Sequence, residues 1–297
     1  ILFLNNKINV CYPRGIKIKN KINLFNGTMQ FESISLNDFE KLVIEKNLIA
    51  NNKDGKYYVC IDIANGHMSF LHELIKSAKN KFGDKIVIMA GNIANPETFK
   101  ILSNNGADYI RIGIGNGNGC LTTEQTGIGY PMASLIKECY EVTCSLRNSA
   151  KIVADGGIKS YSDILKALAL GADYVMIGSM FNKALESCGD TYFKSFKINQ
   201  YGIFAKTLYR KGFTLKKKFR GMSTKEVQKH WGKEILTTSE GIVRTREVEY
   251  TLDQWSANFV DYLKSNMSYC NSKNLSEYIG SPLLLSITDN AYKRFNK

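Results

Sequence analysis

The chain has 297 residues, enough for one large domain or two small ones. Its 44% hydrophobic and 23% charged content is that of an ordinary globular protein and excludes a disordered or fibrous chain. A formal net charge of +13 reflects either a compositional bias toward Lys and Asn or an anionic ligand or partner.

No RNA-binding signature, zinc-ligand spacing or helix-turn-helix pattern accompanies the charge, so a phosphate-bearing small molecule ranks above nucleic acid. Seven cysteines (Cys11, Cys60, Cys120, Cys139, Cys144, Cys188 and Cys270) show no C-x-x-C spacing and no pairing rhythm. That pattern argues against a zinc site and a disulfide framework, and for a reducing compartment. No apolar stretch approaches a membrane span, and the opening ILFLNNKINV is too short and polar for a signal peptide. The expectation is a cytosolic protein with neither a membrane nor a nucleic-acid partner.

From residue 28 onward, strand-like runs alternate with helical patterns. The strands are expected at 28–35, 57–63, 86–91, 108–113, 151–157 and 173–178, with helices at 35–47, 67–82, 96–106, 132–146 and 160–171. Asn95-Pro96 marks one helix start, and Gly106 and Gly171 mark helix ends. Strands apolar on both faces and separated by single helices imply parallel pairing, in a doubly wound sheet or a (β/α)8 barrel. Small or polar clusters close five strands: Asp62 to Gly66, Gly91-Asn92, Gly113 to Gly119, Asp155-Gly156-Gly157 and Gly178-Ser179. A barrel gathers all of its strand C-termini at one mouth, so this distribution favours the barrel. Residues 186–250 are polar, basic and rich in turns, and are expected as an excursion over that mouth. Residues 251–297 then supply a last barrel helix and a tail, all within a single domain.

The stretch RIGIGNGNGCLTTEQTGIGYP (111–131) is the most informative. Gly113, Gly115, Gly117 and Gly119 precede Cys120, and Gly127 and Gly129 follow it. Without Cβ atoms such a loop can bring its backbone against a ligand, and it presents a cysteine where a thiolate can be stabilised.

With those strand ends in view, the chain resembles the IMP dehydrogenase and GMP reductase family over residues 30–285. The resemblance rests on DIANGH (62–67), MAGNIANPE (89–97), GIGNGNGCLTTEQTGIGYP (113–131), VADGGIKSYSDILKALALGADYVMIGS (153–179), FRGMS (219–223) and SNMSYCNSKNLSEY (265–278). TGIGYP after the cysteine is similar to the reductase branch. The resemblance implies NADPH-dependent conversion of GMP to IMP and ammonia, with Cys120 as nucleophile and Thr122 and Glu240 managing the proton of the departing amine. It places Asp155 on the ribose hydroxyls, Gly117, Gly157, Gly178 and Ser179 on the 5′-phosphate, and Met222 and Ser223 on the purine. Asp62 falls where the family has nicotinamide contacts. The carbonyls of Gly115, Gly117 and Cys120 fall where relatives bind a monovalent cation such as K+. A homotetramer is implied as well. His67 and His72 read as bystanders at a helix start.

Asn118 stands where the family commonly has a Ser, and Thr237 where reductases often have an Arg that recognises guanine. The family also places two βα units before the strand at 28–34. A unit takes about 30 residues, so residues 1–27 cannot hold two, and the barrel is expected to be incomplete or compressed there. The alternatives are an IMP dehydrogenase (IMP and NAD to XMP) and a catalytically inactive nucleotide-binding or interaction homologue.

Overall fold

The computed structural model describes residues 2–15, 27–46, 48, 55–117, 120–220 and 243–295. Seven parallel strands run in chain order: β1 (Val10–Tyr12), β2 (Gln30–Ile34), β3 (Tyr57–Asp62), β4 (Ile86–Ile93), β5 (Tyr109–Ile112), β6 (Lys151–Asp155) and β7 (Tyr174–Met176). They form a curled sheet, an incomplete (β/α)8 barrel, and among the described residues β1 and β7 are its two ends. The helices that return the chain are α2 (Leu36–Glu45), α3 (Ser69–Phe82), α4 (Pro96–Asn104), the short α5 (Thr122–Thr126) with α6 (Met132–Ser145), and α7 (Tyr161–Ala169). Among the described residues, a one-turn helix, α1 (Leu2–Asn5), lies ahead of β1. Its Leu4 is buried, Phe3 meets Phe181 edge-on, and Asn6 just beyond it hydrogen-bonds Asp253.

Why the sheet curls follows from the two-residue period of its strands. In β3, Tyr57, Val59 and Ile61 face the helices, where they join Phe39, Leu71, Ile75, Phe99 and Leu102 in the main core. The alternate residues face inward: Cys60, Phe31 and Met89 form a separate buried cluster, with Tyr58, Val87, Tyr109 and Met176 packed against it. Both faces are therefore apolar through most of their length, as parallel strands under helices require. Local signals set the helix starts. Asn95 Oδ1 accepts from the Thr98 N–H with Pro96 at the first helical position, and Ser160 forms a capping box with Asp163.

Beyond β7, an antiparallel four-stranded sheet in the order β11-β10-β8-β9 is built from β8 (Asp190–Phe193), β9 (Phe196–Ile198), β10 (Leu215–Arg220) and β11 (Val243–Glu247). A helix between β9 and β10, α8 (Ile203–Arg210), packs Ala205 and Leu208 onto Leu185 and Leu215. Then α9 (Leu252–Tyr269), started by a Thr251–Gln254 capping box, lies beside α7 and stacks Trp255 on Phe259. Two short helices, α10 (Leu275–Tyr278) and α11 (Asp289–Phe295), finish the chain, and the Tyr278 hydroxyl donates to the Leu165 carbonyl. None of the described helices is long and apolar enough to cross a membrane.

Lys217 of β10 is the unusual core residue of the second sheet, with only 1% of its surface exposed. Its ammonium donates to the carbonyls of Leu185 and Ser187. Burial pushes its pKa down to about 8. Below that pH the lysine is charged whether folded or unfolded, and the fold carries the whole desolvation cost. Between about 8 and the unfolded value the unfolded chain keeps a proton that the fold has shed, so stability rises with pH. The melting temperature is therefore expected to climb between pH 7.5 and 10 by the equivalent of about 2 kcal/mol. In Lys217→Met that climb should disappear, and an identical pH slope in the two proteins would assign it to other groups.

Candidate active site

The C-terminal ends of β3, β4, β5 and β6 bring together a charged cluster on the inner face of the sheet. Arg111 of β5 lies at its centre, its side chain 12% exposed. It donates from Nη1 to Asp62 Oδ1 on β3 and from Nη2 to Asp155 Oδ2 on β6, both at 2.9 Å. Burial by itself would lower its pKa, but Asp155, Cys60 and Asp62 outweigh that cost and hold the guanidinium charged. Arg14, just past β1, approaches the other oxygen of Asp62 at 3.1 Å. From β4, Asn92 Nδ2 donates to Asp155 Oδ2 at 2.9 Å and to the Gly113 carbonyl at 2.8 Å. Five chain segments thus meet through one set of ion pairs and hydrogen bonds.

Arg111 also donates to Cys60 Sγ at 3.4 Å. The Cys11 thiol hydrogen-bonds Cys60 and, with Arg111, lowers the Cys60 pKa to about 7 against the opposing effect of burial. Cys11 is raised in turn, because its neighbour ionises first.

Cys120 stands on the loop between β5 and α5, half-buried. Its N–H donates to the Gly117 carbonyl at 3.0 Å, and its Sγ lies 3.1 Å from Thr122 Oγ1. Two glycines make that loop possible. Gly113 has φ +120°, and a Cβ there would strike the Asp155 carbonyl and the Met132 methyl. Gly156 has φ +99°, and a Cβ there would come within 2.9 Å of the Gly117 nitrogen. The β6–α7 turn therefore lies directly against the cysteine loop.

Of the residues singled out in the sequence, the structure gathers Cys120, Thr122, Asp155, Gly117 and Gly157 at this one place. Gly178 and Ser179 follow β7; the Ser179 hydroxyl donates to the Ile158 carbonyl at 3.3 Å, tying that turn to the β6–α7 turn. A Cβ on Gly178 would meet nothing within 4 Å, so the space on that side of the residue is open. Glu240, Met222, Ser223, Asn118 and Thr237 lie outside the described residues. Asp62 is held by both arginines, yet a carboxylate offers about four lone pairs and keeps acceptor capacity for a carboxamide. The Gly117 carbonyl, accepting one N–H from Cys120, likewise keeps a lone pair for a weak cation; among the described residues no cluster of His, Cys, Asp or Glu suits a metal ion.

Sequence reasoning noted Asn92 at a strand end without a role for it, and gave none to Arg111 or to the Cys11–Cys60 pair. Arg111 did carry a signal. In DYIRIG, Ile110 and Ile112 occupy the helix-facing positions, so the two-residue period puts Arg111 inside the barrel, where a charge has to be paired. Arg14, in the turn past β1, carries no such signal.

A separate cavity of about 910 Å³ lies elsewhere, at the N-terminal ends of β3 to β6. Lys79 and Lys151 line it, already paired with Asp108 and Asp173. The C-termini of α3, α4 and α6 converge there, and their partial negative charge accounts for the basic side chains.

The same sequence matches the profile of the IMP dehydrogenase / GMP reductase domain over residues 42–295. A GMP reductase of Buchnera aphidicola subsp. Acyrthosiphon pisum (strain Tuc7) is 30% identical over 266 residues, covering 89% of this chain and 70% of the relative. GMP reductase 1 of Homo sapiens is 32% identical over 256 residues, 85% of this chain and 67% of the relative. An inosine-5′-monophosphate dehydrogenase of Chlorobaculum parvum is 32% identical over 237 residues, 77% of this chain but 45% of the relative. With a parallel barrel-type sheet, a cysteine on its glycine loop and a profile match spanning most of its length, the chain belongs to the IMP dehydrogenase / GMP reductase family.

Proposed function

We propose that this protein is a GMP reductase, catalysing the NADPH-dependent reductive deamination of GMP to IMP and ammonia. The observation that carries the reading is the Cys120–Thr122 pair, 3.1 Å apart on a loop packed against the Asp155-Gly156-Gly157 turn. The relatives named GMP reductase support the choice of branch.

The purine C2 of GMP bears an amino group and is electrophilic. Cys120, as thiolate, adds to C2 and forms a C–S bond, dividing a hard displacement into two easier steps. The 2-amino group takes up a proton and leaves as ammonia, with Thr122 and Glu240 as the relay. C2 then accepts a hydride, which NADPH would supply when bound, and the C–S bond breaks to return the thiolate and release IMP. Asp155, fixed by Arg111 and Asn92, accepts from the ribose hydroxyls. Backbone amides at Gly117, Gly157, Gly178 and Ser179 hold the 5′-phosphate, and Met222 and Ser223 hold the purine. Asp62 would meet the nicotinamide, and the carbonyls of Gly115, Gly117 and Cys120 would hold a K+ ion. The working form is a cytosolic homotetramer.

The second reading, IMP dehydrogenase, draws on the Chlorobaculum relative and uses the same cysteine. A third, an inactive nucleotide-binding homologue, draws on a sheet with two ends. Turnover on GMP with NADPH, set against IMP with NAD+, separates all three. Activity in the first assay alone is expected, and silence in both would favour the inactive homologue.

Cys120→Ala should lose turnover and the covalent adduct while keeping most GMP affinity, because the cradle is largely backbone. Mass spectrometry of trapped protein reads the adduct directly; finding it on Cys139 or Cys188 would overturn the mechanism.

Glu240→Gln preserves shape but cannot relay a proton. The deamination rate should fall by about 10²–10⁴ with nucleotide binding little changed, as loss of a general acid or base does. A rate within twofold of the parent would remove Glu240 from the chemistry.

A further inference from the structure

His67 sits at the start of α3, away from Cys120, and the mechanism above makes no use of it. Its ring nevertheless joins two of the loops that carry the site. The backbone N–H of Ala94 donates to His67 Nε2 at 3.1 Å. A main-chain amide is always the donor, so Nε2 carries no proton and the neutral ring bears its hydrogen on Nδ1. That Nδ1–H reaches the buried Thr98 Oγ1 at 2.7 Å. The tautomer is thereby fixed by two bonds.

The loop so held leads straight to the nucleotide cradle. The Gly66 N–H donates to the Asn92 carbonyl at 2.9 Å, and the Asn92 N–H donates to the Ile63 carbonyl at 2.9 Å. Asn92 then spends its side-chain amide on Asp155 and on the Gly113 carbonyl. His67 therefore supports Asn92, and Asn92 supports both the ribose carboxylate and the start of the cysteine loop.

We propose that neutral His67 is a positioning residue for Asn92, and that its protonation loosens the Asp155 cradle and weakens nucleotide binding at acidic pH. This rests on the GMP reading above. A protonated ring would turn an N–H toward the Ala94 N–H, two donors face to face, and the contact has to open. Around the ring, α4 presents Thr98 and Asn95, both neutral, and the β4–α4 loop presents the Ala94 amide. On α3 the titratable group acting on it is His72, whose Nε2 bonds the Gly66 carbonyl at 3.1 Å. Among the described residues no carboxylate hydrogen-bonds the ring to favour its cation. Burial, then His72, accordingly lower its pKa below the ordinary histidine value. By linkage the positioning is complete above about pH 6.5 and is lost as pH falls through the lowered folded value.

The test uses the full chain and its H67Q variant, because a glutamine can accept from Ala94 and donate to Thr98 without titrating. Nitrogen-15 NMR between pH 5 and 8 should show the Asn92 side-chain amide moving together with His67 protonation in the parent and standing still in H67Q. Calorimetry with GMP should show affinity falling about tenfold more in the parent than in H67Q between pH 7.5 and 5.5, the loss of about one hydrogen bond. Titration of the nucleotide's own phosphate is common to both proteins and cancels. An Asn92 amide that ignores His67 protonation, or equal losses of affinity in both proteins, would overturn the proposal. If neither protein binds GMP at pH 7.5, it is the GMP reading that fails, and the NMR titration still decides the role of His67.

Discussion

Everything at the mouth of this sheet depends on one buried guanidinium. Arg111 projects from β5 into the interior and can remain there only because Asp62 and Asp155 each take one end of it. The two carboxylates come from strands on opposite sides of β5, with β4 standing between β3 and β5. A charge buried without its partners costs several kcal/mol, and breaking one arm of such a pair costs about 3–5 kcal/mol. The ends of three strands are therefore held in one register by electrostatics as much as by their backbone ladders. Asn92 brings the fourth strand into the same network.

Once those ends are fixed, the loops above them have little room. Gly113 sits so close to the Asp155 carbonyl that no side chain fits, and Gly156 sits close against the Gly117 nitrogen. The glycines of the Cys120 loop are therefore read best as packing requirements that also leave amides uncovered. The inner face changes character along its length: Phe31, Cys60 and Met89 fill the middle with apolar surface, and the charges start one pleat nearer the mouth. Low dielectric below and water above is the setting in which a fixed ion network holds its geometry best.

Much of this was legible in the residues. Alternation of apolar runs with helical spacing placed β2 to β7 and their helices, since the strands carry apolar residues and lie between helices that each have one apolar stripe. The cysteine loop stood out by its glycines, while its neighbouring threonine and the Asp-Gly-Gly turn were singled out through the family resemblance; the structure brings the three together. What escaped reading were contacts between distant segments. Arg111 announced that it faced inward, but nothing in the chain named Asp62 and Asp155 as its partners. Lys217 lies in a run of three lysines that reads as solvated surface, yet alternation buries the middle one under Leu185 and Ser187. His67 looked like a bystander because its Ala94 and Thr98 partners lie about 30 residues further on.

Charge balance constrains how the site can meet its ligand in the proposed reading. Arg14 and Arg111 are matched by Asp62 and Asp155, so the two arginines bring no excess positive charge to the mouth. Neither arginine is then available to neutralise a nucleotide phosphate without stranding a carboxylate. In that reading the phosphate is met by backbone amides of the glycine turns, which carry partial charge and require no counter-ion. A cradle of that kind binds by shape and hydrogen bonding and adds little long-range attraction. The excess of 40 basic over 27 acidic residues gives the chain as a whole the field that draws an anion toward it. Steering and holding would then be divided between the surface and the mouth, with the ion network serving neither task directly but keeping the second in shape.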